Sequence, residues 1–358
     1  MEVVSAKVHV NSYGAPRAPA NPALVASQEK TMALPGSRAI AVLVFLLTAN
    51  ICGAQERVRL RISSATKTLG YGPLWIASRM GFFAKQGLDV DLVVIRASDV
   101  GIQALAGDSL EIAGSSSDAP IAAIEKGLDL VIVGGIINGL TQSIMAAKRF
   151  KTYNDLRGAT FGAISLTSGV TFALRQVLKL KGLEYPRDYK LLVIGGTPQT
   201  YAALVAGSID AAALSLPVNY AAEEQGFNEI GRFVDVMPNY QLAALSAKRS
   251  WAEKNRPVLV RVMRAMAQTM RWIHQNKEPA ANYLAKEMNL KPDHARRGWE
   301  FYTSTKMWHP DGDVNLEGLQ NVTQIYWEQS QAKWPVPSAV KYVDQSYLRE
   351  GLRELGGR

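Results

Sequence analysis

Cysteine and histidine are scarce in this chain of 358 residues. The one cysteine, Cys52, lies in an N-terminal stretch that we expect to be removed, so the mature protein should contain no thiol. That would exclude disulfides, cysteine nucleophiles and cysteine metal sites together. Beyond that stretch the histidines are His274, His294 and His309, and none has the spacing of a metal site. We therefore expect neither a metal nor a cofactor.

Motifs of catalysis and of nucleic-acid binding are also missing. No Ser-His-Asp order, zinc motif or phosphate loop appears in the sequence. The formal net charge is +9, but the basic residues are scattered rather than clustered. We interpret this charge as a generally basic soluble surface and expect no nucleic-acid partner.

The longest apolar run, residues 39–49, has the features of a secretory signal. Arg38 precedes it, and small residues follow it up to Ala54. The run is too short to cross a bilayer comfortably, which takes about 20 residues. We therefore expect export to the periplasm, with cleavage near Ala54 and Gln55.

Two features of the N-terminus leave alternatives open. Residues 1–31 show no periodic apolar pattern, and Met32 is an alternative start of the protein. A lipid anchor would need Cys52 as the acylated residue, but the bulky Ile51 stands where a small residue is required.

From Val58 onward the sequence alternates strand and helix patterns, which is typical of βαβ units and a largely parallel sheet. We predict an α/β protein with two lobes. Helices from Pro257 onward, including one at 316–331, should cover the sheet of the first lobe. Arg261, Arg264 and Arg271 should form a solvated face of the first of these helices. The expected division is an N-terminal extension and signal peptide (1–54), lobe 1 (55–145), lobe 2 (146–242), and the second part of lobe 1 with the C-terminal helices (243–358).

Two internal echoes support this division. The segment 104–113 resembles 203–212, since in both a helix ends at Gly and a strand follows. The segment 142–149 resembles 241–249, and each is a short apolar strand that ends in Ala-Lys-Arg. We predict that the second pair of segments forms two strands crossing between the lobes and serving as the hinge.

Glycine- and hydroxyl-rich loops after predicted strands are the candidate ligand contacts. They comprise residues 68–72, 114–118 and 165–169. In an open α/β sheet, ligands bind beyond the carboxyl ends of the strands, where helix N-termini offer N–H groups. Any single loop is better explained as simple helix capping, which Ser, Thr and Asp perform widely, and it is the occurrence of matching loops in both halves that points to a cleft.

The mature chain resembles the nitrate/sulfonate/taurine family of solute-binding proteins of ABC transporters, a grouping that includes binders of thiamine-pyrimidine precursors. The motifs that carry the resemblance are Tyr71-Gly-Pro-Leu-Trp-Ile-Ala, Gly81-Phe-Phe-Ala-Lys-Gln-Gly87, Ala104-Leu-Ala-Gly-Asp, Tyr153-Asn-Asp-Leu-Arg-Gly158, Ala203-Leu-Val-Ala-Gly-Ser-Ile-Asp-Ala211 and Trp272-Ile-His-Gln-Asn276.

The resemblance implies a periplasmic binding protein fold, type II-like, with two crossing strands as the hinge. It implies a small-molecule ligand and a membrane permease as partners, and we expect a monomer. The ligand contacts that follow are Tyr71, Gly72, Ser115, Ser116, Ser117, Asn138, Thr167, Ser168, Gly169, Ser215 and Pro217.

We expect a non-enzymatic protein that captures a small organic anion, such as a sulfonate or carboxylate, between its lobes. A buried anion needs donors to replace its water, and two facing helix N-termini would supply them. One alternative is a pyrimidine-type heterocycle, for which Tyr71 and Asp118 would matter more. Others are an enzyme on the same fold, a decarboxylase or a pyrimidine-precursor synthase, and a sensor domain of a signalling protein.

Overall fold

The computed structural model describes residues 57–166, 168–330 and 334–356, so the expected signal segment, Cys52 and Thr167 lie outside the described residues. The chain from Gln55 to Arg358 is one compact unit. The strands of the described part are β1 Val58–Ser64, β2 Leu88–Val94, β3 Ile112–Ser116, β4 Leu130–Ile137, β5 Gln142–Ala146, β6 Thr160–Ala163, β7 Lys190–Val193, β8 Ala211–Ser215, β9 Asn228–Arg232 and β10 Ala243–Lys248.

The helices alternate with these strands in the first two thirds of the chain and then follow one another. They are α1 Gly72–Arg79, α2 Phe82–Lys85, α3 Ser98–Ala106, α4 Asp118–Glu125, α5 Gly169–Leu180, α6 Thr197–Val205, α7 Val218–Glu224, α8 Phe233–Val236, α9 Arg249–Lys254, α10 Arg256–Gln275, α11 Lys277–Met288, α12 Pro292–Ser304, α13 Leu316–Ser330 and α14 Ser346–Glu354. Short 3-10 turns span Leu69–Tyr71, Asn154–Leu156 and Ala339–Tyr342.

The strands form two five-stranded sheets of matching topology. The first has the order β2-β1-β3-β10-β4 and the second the order β7-β6-β8-β5-β9. In each sheet the first three strands are parallel, as the βαβ pattern predicts, and the fourth is antiparallel to both of its neighbours. The expected α/β class is therefore confirmed.

The second echo of the sequence corresponds to β5 and β10. Each is the antiparallel strand in the fourth position of its sheet, and each is the first strand after the chain changes sheet. The changes take place between β4 and β5 and between β9 and β10. All of β5 pairs in the second sheet, so the first change precedes residue 142, whereas we expected lobe 1 to continue to residue 145.

The buried residues group around the two sheets. One cluster joins Ile62, Ile112 and Val131 of the first sheet to α10 and α11. A second cluster joins Ile144 and Phe161 of the second sheet to α5.

Helix α13 is placed differently from our expectation. Leu319 and Val322 belong to the second cluster, together with Phe161 of the second sheet and Ala244 of the first. We expected this helix to cover the first sheet, and its buried residues also join the cluster that contains Phe161 of the second sheet. Its apolar side is buried where the two sheets meet, because residues of both sheets contribute to that cluster.

The hydropathy of the helices determines whether any of them could span a membrane. Within residues 57–166, 168–330 and 334–356, no helix combines the length and the apolar character needed to span a membrane.

Candidate ligand-binding site

The serines at the end of β3 line one side of the candidate site. We predicted residues 114–118 as a loop, but Gly114, Ser115 and Ser116 are strand residues that pair with β10. The strand begins at Ile112 rather than at Leu110, where its pairing with β1 starts, and it ends at Ser116. The backbone N–H of Ser116 donates to the hydroxyl of Ser98, at the start of α3, with a distance of 2.9 Å between nitrogen and oxygen.

Ser117 is the residue of this group with an unused hydrogen-bonding atom. It is 1% exposed, and its hydroxyl has no hydrogen-bond partner within the described residues. By contrast, the hydroxyl of Ser115 donates to the carbonyl of Ser116 at 3.2 Å. A buried hydroxyl without a partner is costly, so the Ser117 hydroxyl is a natural contact for a bound polar molecule.

Helix α5 of the second sheet begins directly opposite α4 of the first. A Cβ placed on Gly169, the first residue of α5, would lie 3.6 Å from both carboxylate oxygens of Asp118, the first residue of α4. The structure thus brings together the two helix N-termini that the sequence suggested. It also places a carboxylate between them.

The Ser168 hydroxyl is already used within its own helix. It accepts a hydrogen bond from the backbone N–H of Thr171 at 3.2 Å and lies 2.9 Å from the Thr171 hydroxyl. This is a helix N-cap, so at Ser168 the capping explanation accounts for the side chain. Thr167, the adjacent predicted contact, lies outside the described residues.

Two tyrosines lie close to Asp118. Tyr71 is 7% exposed at the end of the first 3-10 turn, and Tyr240 is 4% exposed just before β10. Burial is the main cause that raises the pKa of each phenol above its usual range, and the negative charge of Asp118 adds to it. The carboxylate of Asp118 forms no ion pair or side-chain hydrogen bond with another described residue. We call Asp118, Tyr71 and Tyr240 the acidic aromatic cluster.

Gly72 and Asn138 occupy packing positions. A Cβ on Gly72 would lie 2.6 Å from the Leu284 side chain of α11, so its open side faces the core. The amide of Asn138 donates to the carbonyl of Asp313 at 2.8 Å, which ties the first crossover to the loop before α13.

Ser215 and Pro217 end β8 and begin α7. The Ser215 hydroxyl lies 3.3 Å from that of Thr197, the first residue of α6. Pro217 is the N-cap residue of α7, and its carbonyl accepts from the backbone N–H of Tyr220 at 3.1 Å. They therefore lie at the carboxyl edge of the second sheet.

Sequence reasoning missed a set of buried amides beside this edge. Gln142 is 6% exposed and Asn219 is 4% exposed, and the side-chain oxygen of each has no partner among the described residues. The Asn219 amide donates to the Ser143 hydroxyl at 3.4 Å. The available signal was the polar run Thr141-Gln142-Ser143 inside an otherwise apolar segment, which we used only to predict a strand.

The three histidines of the described residues all contact other protein groups. His274 lies 2.7 Å from the carbonyl of Trp308, and His309 accepts from the backbone N–H groups of Asp311 and Asp313 at 3.3 Å. His294 contacts a glutamate. Within the part of the chain that the structure describes, no three His, Cys, Asp or Glu side chains are grouped as metal ligands.

Comparison with known proteins gives relatives by sequence and solved structures of similar fold. The formylaminopyrimidine-binding protein of Halalkalibacterium halodurans is 27% identical over 218 residues, which is 59% of this chain and 64%, slightly under two thirds, of that protein. The alkanesulfonate-binding protein SsuA of Xanthomonas axonopodis pv. citri, solved with MOPS, has a TM-score of 0.64 at 19% identity over 81% of this chain and 98% of SsuA. The desulfurization enzyme DSZB has a TM-score of 0.62 at 12% identity over 84% of this chain and all of DSZB.

The TM-scores of the two solved structures establish the fold of this chain. Their sequence identities are too low to show more than the fold. The chain has the two-sheet fold of the periplasmic binding proteins, and the resemblance found in the sequence is confirmed. The family model described as "NMT1/THI5 like" matches residues 70–280, which is more than half of the sequence. The chain therefore belongs to the NMT1/THI5-like family.

Proposed function

We propose that this protein is the solute-binding component of an importer. The observation that carries the proposal is the approach of α4 and α5, which start from different sheets and meet at Asp118 and Gly169. A ligand held there touches both sheets at once. It would favour the closed arrangement, since a ligand shifts an equilibrium only by its differential affinity for the two states.

We infer a ligand that offers hydrogen-bond donors on a planar ring. The Asp118 carboxylate accepts only, and the Tyr71 and Tyr240 rings beside it suit stacking or edge contacts. A sulfonate or carboxylate at the same point would face the negative charge of Asp118. This argument favours the heterocycle over the organic anion expected from the sequence, and the name of the formylaminopyrimidine-binding relative agrees with it.

An organic anion remains the second candidate. Two helix N-termini meet at the site, and both carry a partial positive charge. The Ser117 hydroxyl adds a neutral donor. SsuA of Xanthomonas axonopodis pv. citri was solved bound to MOPS, which carries a sulfonate, so that protein holds such a molecule on the same fold.

We infer capture without chemical conversion. The one cysteine of the sequence is Cys52, ahead of the predicted cleavage point, and His274 and His309 are occupied by backbone groups. The acidic aromatic cluster contains a carboxylate and two phenols, with the Ser117 hydroxyl next to it in the chain, and includes neither a cysteine nor a histidine. A periplasmic location and a membrane permease as partner complete the proposal.

Thermal unfolding with a panel of candidate ligands tests the proposal. Formylaminopyrimidine, alkanesulfonates, nitrate and aromatic carboxylates should be compared at equal concentration. A true ligand at a hundred times its dissociation constant stabilises the protein by about 2.7 kcal/mol. We expect formylaminopyrimidine or a related amino-heterocycle to raise the melting temperature and to be recovered unchanged.

The matched variants are Asp118→Asn and Glu317→Gln. Each removes one carboxylate from the first turn of a helix, but Glu317 lies exposed at the start of α13. Asp118→Asn should abolish most of the stabilisation by the heterocycle, and Glu317→Gln should leave it intact. If sulfonates stabilise the protein and Asp118→Asn strengthens their effect, the anion is the ligand and the heterocycle proposal is wrong.

A further inference from the structure

Helices α7 and α12 meet although they belong to different sheets. Helix α7 directly follows β8 of the second sheet. Helix α12 contributes Tyr302 to the buried cluster of the first sheet. Every contact between these helices therefore joins the two halves of the fold.

The contacts are ionic along the exposed side of both helices. Arg297 pairs with Glu223 at 2.9 Å. Glu224 accepts from both Lys291 at 2.5 Å and His294 at 2.6 Å. These contacts lower the pKa of the Glu224 carboxyl from its usual value, with the hydrogen bond from Lys291 as the largest cause.

An aromatic side chain lies between the ionic contacts. The guanidinium of Arg297 lies 3.9 Å from the ring centre of Tyr220, and the His294 ring meets Tyr220 edge-on at 5.8 Å between centres. Tyr220 is 8% exposed and, with Leu216, is buried in the cluster of the first sheet. A residue of α7 is thus packed into the opposite half.

Helix α7 also connects these contacts to the candidate site. It begins at Val218, directly after its N-cap residue Pro217, carries Asn219 with its unpaired side-chain oxygen, and ends at Glu224. We propose that Tyr220, Glu223, Glu224, Lys291, His294 and Arg297 form a latch that holds the two lobes closed without touching the ligand. The proposal rests on the proposed binding function in one respect only, namely that the lobes open and close.

The energetic argument favours Arg297 as the main element of the latch. An exposed ion pair alone contributes little, but Arg297 combines an ion pair with a close cation–π contact to a buried ring. Its loss removes both contacts at once. The equilibrium between closed and open forms should then shift toward the open form by about tenfold.

Arg296 provides a matched control on the same helix. Its side chain is 40% exposed, against 39% for Arg297, and it pairs with Glu278 at 3.3 Å. Glu278 lies on α11, whose buried residues Ala280 and Leu284 belong to the cluster of the first sheet. The Arg296 pair therefore stays within one half of the fold, whereas the Arg297 pair joins the two halves.

Small-angle X-ray scattering of the ligand-free protein tests the latch without any assumption about the ligand. Arg297→Ala should increase the radius of gyration, and Arg296→Ala should not. The charge exchange Arg297→Glu with Glu223→Arg should restore part of the closed population. Circular dichroism checks that each variant is folded.

The outcomes separate the two proposals. If Arg297→Ala and Arg296→Ala both scatter like the wild type, the latch does not hold the lobes and the inference is overturned. If both variants expand equally, the effect is one of charge and the inference is again overturned. A ligand panel without any hit would refute the binding function while leaving an Arg297-specific expansion in place.

Discussion

Gln241 is the residue whose replacement should most clearly disturb the junction of the two sheets. It is fully buried just before β10. Its amide nitrogen donates to the carbonyls of Ile137 at 3.2 Å and Ala243 at 2.8 Å, and its oxygen accepts from the backbone N–H of Asn315 at 2.7 Å. One side chain therefore connects the end of β4, the start of β10 and the residue before α13.

The expected cost of Gln241→Met follows from these three hydrogen bonds. Methionine keeps the length and approximate volume of glutamine, so no large cavity forms. A typical hydrogen bond contributes about 1 kcal/mol net, and an unpaired buried donor costs about 1–3 kcal/mol. We expect the free energy of unfolding to fall by about 3 kcal/mol, a large share of a typical domain's stability.

Two other glutamines give a graded series. Gln345 accepts one hydrogen bond, from the backbone N–H of Val314 at 2.8 Å, so Gln345→Met should cost about 1–2 kcal/mol. Gln103 is exposed on α3, and Gln103→Met should change stability by less than about 0.5 kcal/mol.

Urea denaturation followed by circular dichroism measures all three variants, with linear extrapolation to water. The expected order of destabilisation is Gln241, Gln345 and then Gln103. A Gln241→Met variant as stable as Gln103→Met would refute the reasoning, because three buried hydrogen bonds would then contribute nothing.

Two further predictions concern single positions. The Tyr189 hydroxyl is buried without a partner among the described residues, so Tyr189→Phe should not lower the stability at pH 7. Burial raises the pKa of Tyr189 from 10.0 to about 12, so the unfolded chain loses this proton first and stability falls as the pH rises between these values. Tyr189→Phe should reduce that alkaline decline in urea melts, and an unchanged decline would contradict the assignment. A Cβ on Gly114 would meet the Ser63 carbonyl at 2.7 Å, so Gly114→Ala should cost about 1–3 kcal/mol in the same assay. The control is Gly101→Ala, in the interior of helix α3, where the added Cβ would lie 3.7 Å from the Ser63 hydroxyl. This variant should be neutral or stabilising by up to about 1 kcal/mol. Equal costs for the two variants would disprove the steric argument.

The architecture could be predicted from the sequence because it depends on local patterns. The echo between segments 142–149 and 241–249 predicted β5 and β10, which occupy equivalent positions in their sheets. Both segments are short and rich in apolar residues, and both end in Ala-Lys-Arg, so a local pattern was enough to predict a strand in each. Elements without that signal, such as β9 and α14, were not predicted.

The arginines of α10 illustrate a limit of such patterns. We predicted a solvated face of Arg261, Arg264 and Arg271, but the Arg264 side chain is only 21% exposed and pairs with Glu354 of α14. A helical periodicity shows which residues share a face of α10. It does not show that a later helix packs its glutamates against that face, because that depends on the path of the chain.

The candidate site was only partly predictable, and the reason is the distance along the sequence between residues that meet in space. Asp118 was read as a helix-capping residue or a secondary contact, and its position opposite Gly169 depends on how two sheets approach. For His294 the sequence shows only that it lacks the spacing of a metal site, whereas in the structure it is 5% exposed because α7 covers it. Glu224 and His294 lie 70 positions apart, and no local pattern connects them. Contacts between the sheets determine both the binding cluster and the latch, so the residues on which function should depend are those that a local reading of the sequence identifies least well.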